Sequence, residues 1–167
     1  MRRSNERWKS AMWHERAGAA LSEAARNALE AMCFVASEEV PGPQPGFRAA
    51  PIAAQVDFRG RWTGRCIVEM PESCARIITG NFTGELDPGR VAAGHMIELL
   101  CEFANIVCGG TITRLNCPGI VTLAPPHLIY EWPTEERPAE ISAVERWLDT
   151  GDGIIRVGFE TDIGTAS

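Results

Sequence analysis

The sequence predicts a single α+β domain in which long helices pack on one side of a largely antiparallel β-sheet. Two observations support this fold class. Apolar residues recur every three to four positions in two long segments, which is the period of a helix. Two pairs of strand-like segments are each joined by a turn signal, which is typical of antiparallel hairpins. The chain has 167 residues, a length that suits one domain with one core.

Two long segments carry the apolar period of an amphipathic helix. The first runs from Gly18 to about Val35, and its apolar stripe predicts a helix that packs on the core. The second covers about 90–108 and is predicted to be the longest helix of the chain. We expect it to end at Gly109-Gly110, because glycine often follows the last residue of a helix.

A shorter helix and a turn precede this long helix. Pro71 is expected to open the short helix, since proline is favoured in a first helical turn, and the helix is expected to stop near Gly80. Residues 86–89 predict a turn that Asp87 caps.

Strand-like segments occupy most of the remaining chain. Strands are expected over residues 52–58, 61–70, 119–124, 139–149 and 153–161. Three prolines at 41–46 predict a loop, because proline removes a backbone donor. Residues 112–116 predict a short strand or a loop, and the polar residues 133–138 predict another loop.

The N-terminal residues are set apart by their charge. Residues 1–16 form a basic extension that either frays or lengthens the first helix, and residues 17–163 form the single domain. No apolar stretch has the length of a signal-peptide core or of a membrane span. We therefore expect a cytoplasmic protein without a membrane partner.

Composition narrows the function classes further. Apolar residues make up 45% and charged residues 23%, and the net charge is −6, which argues against nucleic acid as a partner because binding to phosphates needs a basic face. Cysteines lack the paired spacing of a zinc site and the density of a disulfide scaffold, so we expect reduced, mostly buried thiols. They are Cys33, Cys66, Cys74, Cys101, Cys108 and Cys117.

A polar ridge interrupts the apolar surface of the long helix. At about 100° per residue, four polar side chains fall within an arc of about 80°, and Gly109 falls inside that arc. The four are His95, Glu98, Glu102 and Asn105. The apolar residues of this helix, Ile97 and Ile106 among them, are expected to lie against the core.

The simplest interpretation of this ridge is the solvated side of an amphipathic helix. Three features favour a functional surface instead. The ridge has no Lys or Arg, Glu98 and Glu102 are like charges one turn apart, and Asn105 is of a residue type that helix interiors disfavour. A metal site is not predicted, because no second helix carries matching ligands.

The same residues resemble a known family. The run ELLCEFANIVCGG at 98–110, followed by TITRLNCPGIVTLAPPHLI at 111–129, resembles the CheX-like branch of the CheC/CheX/FliY family of bacterial chemotaxis phosphatases. The signature is a helix with Glu-x-x-Asn, here Glu102 and Asn105, then a glycine-containing helix end and a proline. The likeness extends over roughly residues 20–160.

This resemblance implies a CheC/CheX-like fold and a phosphatase acting on the phospho-aspartate of a CheY-like response regulator. In that family's terms Asn105 positions the attacking water and Glu102 pairs with the regulator's lysine, while His95, Glu98 and Gly109 are flanking partner contacts. The resemblance also implies Mg²⁺ on the partner regulator, no cofactor on this chain, and a homodimer formed through sheet edges.

Two departures from the family pattern leave a second function open. Glu98 stands where two-site members have Asp or Ser, and the spacing from Asn105 to Pro126 is a few residues shorter than in those members. The first helix has Glu23-x-x-Arg26 instead of a second Glu-x-x-Asn, so no second site is expected there, and this single-site pattern resembles CheX more than CheC. The alternatives are a non-catalytic CheX-like module that docks a receiver domain or other signalling protein, and an unrelated α+β domain. Trp132 and Trp147, on late strands, are candidates for core packing or for an interface.

Overall fold

The computed structural model describes residues 2–43, 51–133, 136–138 and 140–162, and the side chains from residue 11 onward within those ranges. Its helices are α1 (Arg2–Cys33), α2 (Glu72–Thr83) and α3 (Ala93–Arg114), with a 3₁₀ turn at Pro88–Arg90. Its strands are β1 (Glu38–Val40), β2 (Pro51–Arg59), β3 (Thr63–Pro71), β4 (Thr122–Leu123), β5 (His127–Ile129), β6 (Ile141–Asp149) and β7 (Ile154–Asp162).

The strands form one antiparallel sheet in the order β1-β6-β7-β3-β2-β4, with β5 also paired to β2. The two predicted hairpins are present as β2–β3 and β6–β7. Strand β7 pairs with β3 across a long connection, opposing Val157 to Val68, and this contact joins the hairpins into one sheet. The α+β fold class predicted from the sequence is confirmed.

The helices cover one face of this sheet, and the core lies between them. Apolar side chains of every second strand residue point toward the helices, as a period of two requires. Phe58 of β2 and Phe159 of β7 stack with ring centroids 5.1 Å apart. The largest fully buried side chains are Phe58, Phe103, Phe159, Leu21, Leu29, Ile67, Leu100, Leu148 and Ile155.

Described residues that follow β5 lie on the opposite face of the sheet. Trp132 lies over Gly158, where a Cβ would meet the indole at 2.8 Å, and Arg156 lies 3.6 Å from the centre of the Trp132 ring. Glu160 pairs with Arg65 and with Arg137 at 2.7 Å each. These contacts fasten the segment over the sheet.

The two late tryptophans therefore serve packing within the chain. Trp132 and Trp147 are each only 8% exposed, and Arg156 lies against both rings. Of the two alternatives that the sequence left open, core packing or an interface, their burial supports core packing. Trp132 also follows β5 instead of lying on a strand.

Helix boundaries differ from the predicted ones. Helix α1 starts at Arg2, so the basic extension lengthens it, and its 32 residues make α1 longer than the 22-residue α3. Helix α2 passes Gly80 and ends before Gly84, whose φ of 77° is the left-handed conformation that glycine favours. Thr79 and Thr83 bond back to carbonyls one turn earlier within α2.

Helix α3 also runs past its predicted end. It continues through Gly109 and Gly110 to Arg114, so residues 112–114 are helical, contrary to the strand or loop expected there. Gly110 lies against α1, where an added Cβ would be 3.2 Å from the Cβ of Ala24. The glycine thus permits close helix packing and does not end the helix.

Smaller elements complete the comparison with the sequence. Asp87 caps the 3₁₀ turn as predicted, accepting a hydrogen bond from Gly89 at 2.9 Å. The strand predicted over 119–124 shrinks to Thr122–Leu123, and β1 was not predicted. Residues 44–46 of the loop predicted at 41–46, and part of the loop at 133–138, lie outside the described residues.

Length and composition alone would let α3 cross a membrane, contrary to the expectation from the sequence. Half of its most apolar window is buried inside the domain, as in a core helix of a folded domain. Its apolar character therefore has a structural explanation in the packing against α1, α2 and the sheet.

The cysteine expectations agree with the described structure. All six thiols are free, four of them are buried, and Cys101 and Cys117 are partly exposed. Burial raises the pKa of Cys33 and of Cys74 to about 11. A hydrogen bond with Cys108, together with burial, raises the pKa of Cys66 well above its ordinary value. These thiols stay protonated near neutral pH, so they are poor nucleophiles.

Candidate functional site

Helix α3 carries all five residues that the sequence singled out. His95, Glu98 and Glu102 are exposed, and Asn105 and Gly109 are half-buried. They therefore share one side of the helix that is turned away from the core. Within the described part of the chain, neither the carboxylate of Glu102 nor the amide of Asn105 has a hydrogen-bond or ion-pair partner.

The side of α3 opposite this surface is firmly held. Phe103 and Leu100 are buried in the core, and Cys108 contacts Cys66 of β3. At the C-terminal end of α3, Arg114 lies 3.5 Å from Glu23 of α1. These contacts fix the rotation of the helix, so the direction of the Glu102 and Asn105 side chains is set by the fold.

Glu102 and Asn105 are three residues apart on this fixed helix. Side chains at that spacing are neighbours, with Cβ atoms about 5–6 Å apart. The pair thus presents a carboxylate and a neutral amide side by side, each free to contact a second molecule. Gly109, one turn beyond Asn105, leaves this surface without a side chain, and Leu123 of β4 is the one described residue that approaches it, at 3.8 Å from an added Cβ.

A groove borders Glu102 on the side facing α2. It has a volume of about 460 Å³ and runs between the C-terminal end of α2 and the first turns of α3. Its lining residues are Phe82, Thr83, His95, Glu98, Leu99 and Glu102. Three of the predicted site residues are therefore brought together in one concavity, while Asn105 lies beside it on the same helix.

The exposed surface of α3 is broader than the predicted polar ridge. Ile97 and Ile106 are each 38% exposed, so the expectation that they lie against the core is wrong. Ile106 follows Asn105 directly and lies one turn after Glu102, which adds an apolar contact to the polar pair. The helical wheel gives directions around the axis, but it does not reveal where neighbouring elements leave gaps.

Phe82 and Thr83 are the lining residues that the sequence did not suggest. They lie in the last turn of α2, beyond the predicted end of that helix near Gly80. Phe82 is 53% exposed, which is unusual for a large aromatic side chain. The sequence signal was an aromatic residue in a polar stretch, but its proximity to Glu98 depends on how α2 packs against α3.

The Glu23-x-x-Arg26 stretch of α1 has partners of its own. Glu23 faces Arg114 of α3, and Arg26 donates to the carbonyl of Ser37 at 3.2 Å. Both side chains therefore tie elements of the fold together, which differs from the unpartnered pair on α3.

Other parts of the molecule fit a functional site less well. A cleft of about 270 Å³ on the outer face of the sheet includes Arg65, Arg137 and Glu160, but these charges already neutralise one another. Among the described residues, no group of three or more His, Cys, Asp or Glu side chains could hold a metal ion.

Comparison with known proteins places the chain in a family. The model of the family described as chemotaxis phosphatase CheX matches residues 52–140, which is just over half of the chain and includes the whole of α3. A search of curated proteins found no match.

Solved structures share the fold at low sequence identity. The chemotaxis protein CheX from Vibrio vulnificus is 17% identical with a TM-score of 0.66, covering 85% of this chain and 93% of that one. A putative chemotaxis protein from Desulfovibrio vulgaris Hildenborough is 16% identical with a TM-score of 0.69, covering 87% and 96%.

A third similar structure is a complex. The complex is that of CheX and CheY with BeF₃ and Mg²⁺ from Borrelia burgdorferi. The matched chain in it is 21% identical to this one with a TM-score of 0.61, and the match covers 85% of this chain and 95% of that one. The family match and these shared folds agree with the resemblance read from the sequence, so the chain belongs to the chemotaxis phosphatase CheX family.

Proposed function

We propose that this chain is a cytoplasmic phosphatase that hydrolyses the phospho-aspartate of a CheY-like response regulator. The observation that carries the proposal is the pair on α3: the Glu102 carboxylate and the Asn105 amide project from one fixed helix surface without partners in the described chain. Membership in the CheX family supports the reaction class, and the Borrelia complex supports CheY as the kind of partner.

The reaction needs little chemistry from the chain itself. A water molecule attacks the phosphorus, the bond between phosphorus and the aspartyl oxygen breaks, and the products are inorganic phosphate and the free carboxylate. Phosphoryl transfer depends mainly on positioning and charge stabilisation. A group that holds the water in line with the breaking bond is therefore sufficient to accelerate hydrolysis.

Asn105 is suited to hold that water. Its carbonyl oxygen can accept a hydrogen bond from the water, and its amide nitrogen can donate toward a phosphoryl oxygen. Because the side chain is half-buried, its motion is restricted, which favours one orientation. A neutral amide also approaches the anionic phosphoryl group without charge repulsion.

Glu102 is suited to dock the regulator. Its exposed carboxylate can form a charge-assisted hydrogen bond with a lysine. In this proposal it pairs with the regulator's lysine and sets the register of α3 on the partner. In this proposal Mg²⁺ is held by the regulator, and this chain contributes Glu102 and Asn105 to the reacting centre; the Borrelia complex contains Mg²⁺ together with CheX and CheY.

The proposal predicts strong effects of two alanine substitutions. Glu102→Ala and Asn105→Ala should each slow regulator dephosphorylation about tenfold or more, because each removes a contact made with the reacting partner. The measurement is release of inorganic phosphate from phosphorylated CheY. Circular dichroism should show an unchanged fold, since neither side chain has a partner in the described chain.

Glu30→Gln is the matched control for this experiment. Glu30 is an exposed acid on α1, away from the α3 surface, and its variant should release phosphate at the wild-type rate. Wild-type rates for both Glu102→Ala and Asn105→Ala would refute the assignment of these residues.

A non-catalytic role is the second candidate. Glu98 stands where two-site members have Asp or Ser, and the exposed Ile106 beside Asn105 would suit a surface that only docks a receiver. Such a module would bind phosphorylated CheY without shortening the lifetime of its phosphoryl group.

Oligomerisation is a further expectation from the family resemblance. A homodimer would form by pairing sheet edges, and the described edge strands are β1 on one side and β4 with β5 on the other. None of these exceeds three residues, so strand pairing there would be short.

A further inference from the structure

We propose that the groove between α2 and α3 is a second contact site for the receiver domain and holds one of its cationic side chains, an arginine or a lysine. The inference rests on the proposed function and adds a determinant of partner choice to it. This cation is distinct from the lysine that Glu102 engages at the reacting centre.

The position of the groove connects it to the proposed site. Glu102 lines the groove and also neighbours Asn105 on α3. A receiver that presents its phosphoryl group to Asn105 must therefore cover the mouth of the groove as well. With a volume of about 460 Å³, the groove has room for a long side chain.

The charge of the groove selects a cation. Glu98 and Glu102 are one turn apart, and like charges at that spacing repel each other. Among the described residues that line the groove, none is a lysine or an arginine, and neither carboxylate has an ion-pair partner in the described chain. In the proposed function Glu102 pairs with the regulator's lysine, which leaves Glu98 as the carboxylate that a second cationic side chain of the partner would pair with.

The opposite wall of the groove adds a second attraction. Phe82 is 53% exposed at the end of α2, so its ring is available to a ligand. A guanidinium or ammonium group over an aromatic ring is attracted by the ring's negative face. Carboxylates on one wall and an aromatic ring on the other form a setting that arginine suits best, because its planar group can both stack and donate.

The test separates binding from chemistry in steady-state kinetics with phosphorylated CheY. Glu98→Gln and Phe82→Ala should each raise KM about threefold to tenfold while kcat stays within about twofold, because the contact acts on docking. Raising the salt concentration should weaken wild-type binding more than binding of Glu98→Gln. Glu30→Gln, with the same charge change on the exposed surface of α1, should keep the wild-type KM.

Charge reversal identifies the occupant of the groove. Glu98→Lys should weaken binding of CheY loaded with Mg²⁺ and BeF₃, measured by titration calorimetry. Each surface arginine and lysine of CheY would then be changed to glutamate, and one of these variants should restore binding to Glu98→Lys. The inference is overturned if no CheY variant restores binding, or if Glu98→Gln and Phe82→Ala keep the wild-type KM.

The calorimetric binding measurement also distinguishes failure of the cation-site proposal from failure of the proposed phosphatase function. In one outcome the wild-type chain binds loaded CheY without hydrolysing phosphorylated CheY, and Glu98→Gln weakens that binding. The phosphatase proposal is then wrong, while the proposal of a cation site in the groove is supported. In the other outcome the wild type is an active phosphatase and both groove variants bind and turn over CheY normally, so the cation-site proposal is wrong and the phosphatase proposal is supported.

Discussion

At the scale of single residues, the amide of Asn105 differs from the acids around it in charge, the property that matters most beside a phosphoryl group. Glu98 and Glu102 carry negative charge on the same helix surface, and a third carboxylate beside a phosphoryl group would add repulsion. The amide avoids that repulsion while keeping both a donor and an acceptor.

This difference predicts that Asn105→Asp will be at least as inactive as Asn105→Ala, although aspartate has nearly the size of asparagine. The carboxylate can accept a hydrogen bond from water, but it cannot donate toward a phosphoryl oxygen and it repels the phosphoryl charge. The measurement is kcat for phosphate release from phosphorylated CheY. Activity of Asn105→Asp near the wild-type value would show that the amide donor is not needed.

Much of this surface could be predicted from residue spacing. The helical period placed Glu98, Glu102 and Asn105 on one side of the long helix, and the structure has them there. The same period failed for Ile97 and Ile106, because exposure depends on where neighbouring elements end. Glu98 and Phe82 are far apart in the sequence, so their shared groove could not be read from a pattern within one helix.

At the scale of elements, the two glycines near the end of α3 illustrate the limits of local signals. Glycine commonly follows a helix end, and that rule predicted a stop at Gly109-Gly110. The structure continues the helix because Gly110 lies against Ala24 of α1 at close range. Tertiary packing between α1 and α3 overrides the local preference, and this contact helps fix the rotation of α3.

The packing of Gly110 predicts a stability effect. Gly110→Leu should lower the free energy of unfolding by about 1–3 kcal/mol, because the larger side chain forces α1 and α3 apart, and this exceeds the gain in helix propensity of about 1 kcal/mol. Urea denaturation followed by circular dichroism measures the change.

Gly94 offers a matched control on the same helix. A Cβ there meets no atom of the described residues within 4 Å, so Gly94→Ala should leave stability unchanged or raise it by up to about 1 kcal/mol. Equal stabilities of Gly110→Leu and wild type would contradict the close-packing explanation for Gly110.

At the scale of the whole molecule, one face of the sheet supports the helices, and the other carries described residues that follow β5. On that outer face Trp132 lies against Arg156, and Glu160 pairs with Arg65 and Arg137, whereas Glu102 and Asn105 of α3 have no partner in the described chain. The two hairpins were predictable because a turn signal joins the two strands of each in the sequence. The pairing of β7 with β3 could not be predicted in this way, because it joins residues about ninety positions apart.

The arrangement also explains why α3 is so apolar. A helix that packs against α1, α2 and the sheet needs apolar side chains on the faces that meet them, and nine of its 22 residues are buried. The exposed side of α3 is held on a fixed helix, which suits the proposed positioning of water on another molecule's phosphoryl group better than binding of a substrate in a deep pocket.

The most direct test of the phosphatase proposal is the lifetime of phosphorylated CheY mixed with about one-twentieth its amount of the wild-type chain in the presence of Mg²⁺. We predict that the phosphoryl group will be lost completely and several times faster than from CheY alone, because each phosphatase chain turns over many regulators. We also predict that Asn105→Ala will abolish this acceleration. An unchanged lifetime, with binding of phosphorylated CheY retained, would contradict the phosphatase proposal and identify the chain as a docking module.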